Sequence, residues 1–245
     1  MFPFLKNHPF AVDAFFESSI VLTFAVPKEE LQNLIPESLE LDTFENYAFV
    51  AVAMVQTKDL RPQGFPKILG NDFFLIGYRI FVKYHTSGGK RLRGLYILKS
   101  ETNKKKMQIF GNIFTHYQYT TTDITKTSAG TKTLIKSDIS DFEILINNQS
   151  EEIPLPENSV FKDWKEARRF AGPLPFTFTY NARKKEVLII EGVRQNWNPK
   201  PLQIDHHHFG FLKHFNFSKT ILSNSFMINN IPYSWKKGRK DLWKP

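Results

Sequence analysis

The sequence predicts a β-rich α+β fold, a barrel or sandwich of many short strands with a few short helices. Three observations predict it. Stretches such as Tyr47–Val55 and Leu92–Lys99 are apolar on both faces, as strands covered on two sides are. Turn signals punctuate the chain, Ser87-Gly88-Gly89 the clearest. Helical periodicity is confined to brief segments, with no internal repeat and no low-complexity run. Residues 1–245 read as one domain, and 24 phenylalanines supply ring-filled packing for its core.

In chain order, Ser19–Phe24 reads as a first strand. Pro27 opens a short helix at the favoured first position, with Glu29 and Glu30 at its positive end and Pro36 closing it. Tyr47–Val55 follows, then a loop over Leu60–Asn71 that carries Pro62, Gly64, Pro66 and Gly70. Phe73–Tyr84 and Leu92–Lys99 form a hairpin. Met107, Phe110, Gly111 and Phe114 share one helical face, which Ser100 or Thr102 can cap, and Gly111 on that face implies close backbone approach. Tyr117 to Thr122 favours a strand. Further strands are expected at Thr131–Lys136, Asp141–Asn147, Phe176–Tyr180, Glu186–Ile190, Ile204–Lys213 and Ser225–Ile228, with Ser128-Ala129-Gly130 as a turn and Gln149–Asn158 as a polar loop. A helix through Val160–Arg168 is capped by Asn158 or Ser159.

Composition narrows the chemistry. Cys 0 excludes disulfides, thiolate nucleophiles and cysteine-held metals. The net charge of +9 is spread along the chain, which reads as a solvated basic surface; no recognition helix, RNP-like motif or zinc finger supports nucleic acid. The first residues lack a signal-peptide pattern, and Ala14–Val26 is interrupted by Glu17 and too short to span a bilayer, so a cytoplasmic location is expected. No glycine-rich phosphate loop and no Gly-x-Ser-x-Gly elbow occurs.

Several stretches carry a family resemblance. Leu31–Asp42 (LQNLIPESLELD) and the strand Phe49–Met54 resemble the N-terminal part of acetoacetate decarboxylase. Phe73–Val82 (FFLIGYRIFV), Gly94–Ser100 (GLYILKS), Ile109–Phe114 (IFGNIF) and Ser225–Trp235 (SFMINNIPYSW) resemble the DUF2071 (YqjF-like) group on the same fold. The resemblance implies an antiparallel β cone or barrel around an internal pocket. It does not carry the reaction across. The decarboxylase attacks through a Schiff-base lysine whose pKa is depressed by a neighbouring cation. Phe114 stands where that lysine belongs and Thr115 where its lysine neighbour belongs. The family's first acidic pocket residue falls near Val50 and its substrate-binding arginine near Glu17.

Candidate site residues follow. Arg79, mid-strand on the face with Phe73, Leu75, Gly77 and Phe81, is a carboxylate receptor if that face is internal, and a solvated surface arginine if it is not. Phe110 and Phe114 would line a pocket. His116 is an acid/base candidate near neutral pH, or a structural hydrogen bonder. Arg194 and Trp197, with Gln195 and Asn196, would line a pocket mouth or order a loop. Lys99 and Glu101 would approach the pocket or remain surface charge. His206 and His208 share one strand face, but no spacing fixes a third metal ligand, so no metal is assigned. No cofactor is implied. Trp235, Trp243 and the basic residues between them would touch a membrane surface or pack across the barrel end. The expectation is a small, partly apolar carboxylate or carbonyl ligand in an internal pocket without imine chemistry. The alternative is carbonyl chemistry with a non-lysine acid/base such as His116. Whether the chain forms a homo-oligomer is left open.

Overall fold

The computed structural model describes residues 5–148, 152–172 and 174–244. In chain order its elements are β1 (Val12–Pro27), α1 (Lys28–Gln32), β2 (Glu40–Leu41), β3 (Tyr47–Pro62), β4 (Asn71–His85), β5 (Arg91–Thr102), α2 (Lys105–Phe114), β6 (Tyr119–Thr121), β7 (Thr125–Ala129), β8 (Lys132–Ser137) and β9 (Phe142–Asn147). They continue with α3 (Trp164–Ala171), β10 (Phe176–Asn181), β11 (Glu186–Arg194), β12 (Lys200–Pro201), β13 (Gln203–Phe209), α4 (Gly210–Lys213), β14 (Ile221–Trp235) and β15 (Arg239–Leu242).

Seven strands close into a cone-like ring, β14-β1-β3-β4-β5-β10-β11, with β11 returning to β14 through Gly192↔Trp235 and Arg194↔Tyr233. Closure leaves those backbone groups no free edge. The neighbours are antiparallel apart from β5 and β10, which run parallel from Phe176↔Gly94. A second sheet, β13-β9-β8-β7, covers one outer side. Leu22, Val52, Met54, Ile76 and Ile80 of the ring bury there against Ile135, Ile144 and Phe209. This explains why the long strands lack a polar face: one side meets the second sheet and the other meets the ring interior.

Two bulges set which side chains point inward. Phe16 faces Thr57 and Ser18 faces Gln56, leaving Glu17 as the extra residue on β1. Tyr78 faces Lys99 but Arg79 faces Ile97, leaving Leu98 as the extra residue on β5. Each extra residue reverses the alternation beyond it.

The narrow end of the ring is plugged. Phe49 is wholly buried, with Phe81, Phe161 and Phe170 at centroid distances of 5.8, 5.6 and 4.9 Å. Ala167 and Ala171 of α3 close that end. Across the wide end lies α2. An ideal Cβ on Gly111 would come 2.3 Å from the Tyr119 ring, so glycine is what lets this helix sit on β6.

Several elements depart from the sequence reading. The long strands overrun it, because their ends pair with neighbours: β1 begins at Val12 and β3 reaches Pro62, inside the expected loop. Ser100 and Thr102 belong to β5, and Lys104 caps α2 without a side-chain bond. Helix α3 starts at Trp164, where Asp163 accepts from the Glu166 N–H at 2.7 Å, in place of a cap from Asn158 or Ser159. The expected strand Ile204–Lys213 ends at Phe209 and turns into α4. Strand β7 occupies threonine-rich sequence with no apolar alternation, and all its residues are exposed. The start of the expected loop Gln149–Asn158 lies outside the described residues.

Candidate binding cavity

Between the phenylalanine plug and α2, the ring encloses a cavity of about 210 Å³. Its walls are largely apolar, with Val21, Val55, Leu75, Leu95 and Ile97 from the strands and Met107, Phe110 and Phe114 from α2. Among the described lining residues there is no carboxylate and no lysine.

Into this space β4 places Arg79. Its Nε is buried without a hydrogen-bond partner, and it forms no ion pair with any described residue. Its guanidinium lies over Gly77, two residues back on the same face, where an ideal Cβ would come 3.1 Å from Nε. Burial pulls the guanidinium pKa downward, while the nearby Tyr233, Tyr119 and Tyr117 hydroxyls act the other way. An unpaired buried cation is the costliest way to hold an arginine, so this cavity is electrostatically incomplete.

A second guanidinium adds to the imbalance. Arg194 lies 4.3 Å from the Trp197 ring centroid and 5.8 Å from that of Tyr233. Its Nη2 and the Trp197 Nε1 are buried without partners, and its pKa is lowered by burial and by the charge of Arg79. Among the cavity hydroxyls, Tyr117 and Thr177 share a 2.7 Å hydrogen bond, and burial pushes the Tyr117 phenol up to about 12. These hydroxyls therefore stay protonated at neutral pH and act as dipoles.

Of the residues singled out from sequence, Arg79, Phe110, Phe114, Arg194 and Trp197 converge on the cavity. His116 does not. Thr115 and Tyr117 line the cavity on either side of it, and the residue between them is exposed. The imidazole that lines the cavity is His8, whose Nε2 is buried and unpartnered and whose pKa burial lowers to about 4. Nothing in the local pattern around it marks this residue: His8 enters because its N–H bonds the Phe114 carbonyl at 3.0 Å and its own carbonyl accepts from Gly238 at 2.9 Å. Thr177, Tyr233 and Trp235 are likewise brought in by ring closure. Glu17 is exposed on its bulge.

Beyond the Leu98 bulge, Lys99 and Glu101 point to the outer side. They pair there at 2.7 Å, with Ser140 also donating to Glu101 at 2.6 Å. His206 lies 3.8 Å from Glu143 and His208 2.9 Å from Asp141, on the second sheet. No group of three or more metal-type ligands occurs among the described residues. In the tail, Trp235 lines the cavity, β15 pairs with β11, and Trp243 packs edge-on against Tyr180 at 5.6 Å. No helix among the described residues is long and apolar enough to cross a membrane.

A family model for DUF2071, described as an uncharacterized conserved protein (COG2071), matches residues 14–229, the greater part of the chain. The chain belongs to the DUF2071 family. Solved structures place its fold. It is similar to an acetoacetate decarboxylase from Legionella pneumophila subsp. pneumophila str. Philadelphia 1, with a TM-score of 0.62 at 11% identity over 95% of this chain and 87% of that one. A second acetoacetate decarboxylase structure gives 0.59 at 12% identity, over 94% and 89% of the two chains. The enduracididine biosynthesis enzyme MppR complexed with pyruvate gives 0.54 at 8%, over 95% and 90%. At such identities the likeness is one of fold. No curated protein matches this DUF2071 chain in sequence.

Proposed function

We propose that this DUF2071 protein binds a small, partly apolar carboxylate or carbonyl compound non-covalently inside the ring, with Arg79 receiving the anionic end. The observation that carries this reading is the unpaired Arg79 guanidinium in an apolar cavity whose described lining holds no carboxylate. A bound carboxylate would supply the missing counter-charge through charge-assisted, bidentate hydrogen bonds. Phe110 and Phe114 would cover its apolar part, and Arg194 with Trp197 would flank it. Pyruvate, the ligand of the similar MppR structure, is a small keto carboxylate and belongs to this chemical class. Imine formation requires an amine, and the described lining residues include no lysine.

Acid/base turnover is the weaker reading. His116 lies off the cavity, and His8, held near pKa 4, is a poor proton acceptor at neutral pH. A neutral His8 is suited to hydrogen bonding a carbonyl oxygen.

Calorimetric titration of wild type and Arg79→Met with hexanoate, benzoate and pyruvate tests the proposal. Loss of a buried charge-assisted contact weakens binding by about 2–5 kcal/mol, roughly thirtyfold or more. Equal affinity in both proteins would remove Arg79 from the site. A borohydride-stable ketone adduct on any interior lysine would remove the non-covalent reading.

A further inference from the structure

The wide end of the ring carries an apolar surface that the cavity does not explain. Eight large apolar side chains are exposed among the described residues, and five belong to two neighbouring segments: Phe65, Ile68 and Leu69 in the β3–β4 loop, and Ile109 and Phe110 on α2. Ile68 is 91% exposed. The two segments are linked through the N-terminal stretch. The Gln63 N–H bonds the Ala11 carbonyl at 2.9 Å, the adjacent Phe10 ring meets Phe114 at 5.1 Å, and Phe114 meets Phe110 at 6.4 Å. Met107 of α2 packs with Phe73, the third residue of β4 after the loop.

The loop is preformed and largely satisfies its own backbone. Phe65 N bonds the Pro62 carbonyl, Leu69 N that of Pro66 and Gly70 N that of Lys67. Arg61 donates to the Phe65 carbonyl at 2.9 Å. Backbone groups already paired enter an apolar medium at far less cost. Cations flank the patch, although the carboxylates of Asp59, beside Gly70, and Asp72 also lie close to the loop. Lys67 interrupts the loop, Lys104, Lys105 and Lys106 lead into α2, and none of the four pairs with a carboxylate among the described residues. Lys106 Nζ stands 5.9 Å over the Phe110 ring. The nearby Asp72 is already bound by Lys58 at 3.1 Å. Apolar tips flanked by unpaired lysines match the interfacial region of an anionic bilayer: apolar groups reach below the headgroups while ammonium groups stay among the phosphates.

We infer that this end of the molecule docks on an anionic membrane surface, with Phe65, Ile68 and Leu69 inserted and Lys67 and Lys104–Lys106 on the headgroups. Phe110 both lines the cavity and is exposed at this patch, so docking turns the cavity's α2 wall toward the lipid. The inference is independent of the carboxylate reading.

Co-sedimentation of the full chain with phosphatidylcholine vesicles, with and without phosphatidylserine, tests it. Wild type should pellet with the mixed vesicles and less so at raised salt. Ile68→Asp combined with Leu69→Asp should weaken binding at least about tenfold. Lys104→Ala with Lys105→Ala should weaken it about fivefold per lysine. These side chains are exposed, so far-UV circular dichroism and hexanoate titration should be unchanged in the variants. Wild type remaining in the supernatant with both vesicle types would overturn the inference, as would pelleting that survives the double aspartate variant. A wild-type dimer in sedimentation velocity that this variant makes monomeric would assign the patch to a second copy of the chain and overturn it too.

Discussion

Replacing Arg79 by methionine should make the empty protein more stable while removing its ligand response. The guanidinium lies in an apolar enclosure with its Nε unpartnered and no ion pair, so its desolvation is uncompensated without an anion. Substituting buried charges by apolar groups of similar volume stabilises proteins by about 1–4 kcal/mol. Methionine is unbranched and flexible, and its thioether end can fill the space over Gly77 that the guanidinium occupies. In a chain of this size each kcal/mol moves Tm by about 2–4 °C, so the variant should melt about 2–16 °C higher. Hexanoate at a hundred times its Kd stabilises the native state by about 2.7 kcal/mol, raising wild-type Tm by about 5–11 °C. The variant should show almost none of that rise. Thermal unfolding followed by circular dichroism, with and without hexanoate, reads both effects. A variant that melts several degrees lower and responds to hexanoate as wild type does would show Arg79 to be a structural residue, and the site would have to be sought elsewhere.

Three further outcomes follow from the same geometry. Gly111→Ala drives a methyl into the Tyr119 ring and should cost about 1–3 kcal/mol in urea unfolding, with weaker hexanoate binding as α2 is pushed off β6. Phe49→Ala empties the plug at the narrow end and should cost about 3–5 kcal/mol while leaving affinity within about threefold, since Phe49 is not among the cavity lining. The unfolded chain protonates His8 below its ordinary pKa of 6.5 but the folded chain only near 4, so its contribution favours folding at neutral pH and declines as pH falls between those values. From pH 7 to 5 that is a loss of about 2 kcal/mol, which His8→Gln should abolish in urea titrations at the two pH values.

Much of the architecture was legible because burial on two sides leaves a compositional mark. Tyr47–Val55, apolar on both faces, reads as a buried central strand and Phe73–Val82 as a strand, while the apolar company of Arg79 left open whether its face was internal or solvated. The Gly111 contact was legible for a similar reason, since a glycine within an apolar helical face needs a close neighbour. Less visible were features that depend on pairing. His8, Thr177, Tyr233 and Trp235 reach the cavity only because β11 returns to β14 and the N-terminal segment is pinned to Phe114 and Gly238. His116 is flanked by two lining residues, and nothing in its local sequence tells which of three consecutive side chains will turn inward at the end of a helix.

The Leu98 bulge shows how far a single pairing detail reaches into chemistry. Leu95 and Ile97 face the cavity opposite Phe81 and Arg79. With unbroken alternation the next inward residue would be Lys99, opposite Gly77 and beside Arg79. That would place a desolvated amine next to a cation, the environment that lowers a lysine pKa and makes it nucleophilic. The extra residue puts Ser100 opposite Gly77 instead and sends Lys99 outward to Glu101. A one-residue irregularity with no signature in composition thus separates an interior that could attack a carbonyl from one whose cations are guanidiniums. Guanidiniums are suited to pairing with an anion and are too weakly nucleophilic at neutral pH to attack a carbonyl.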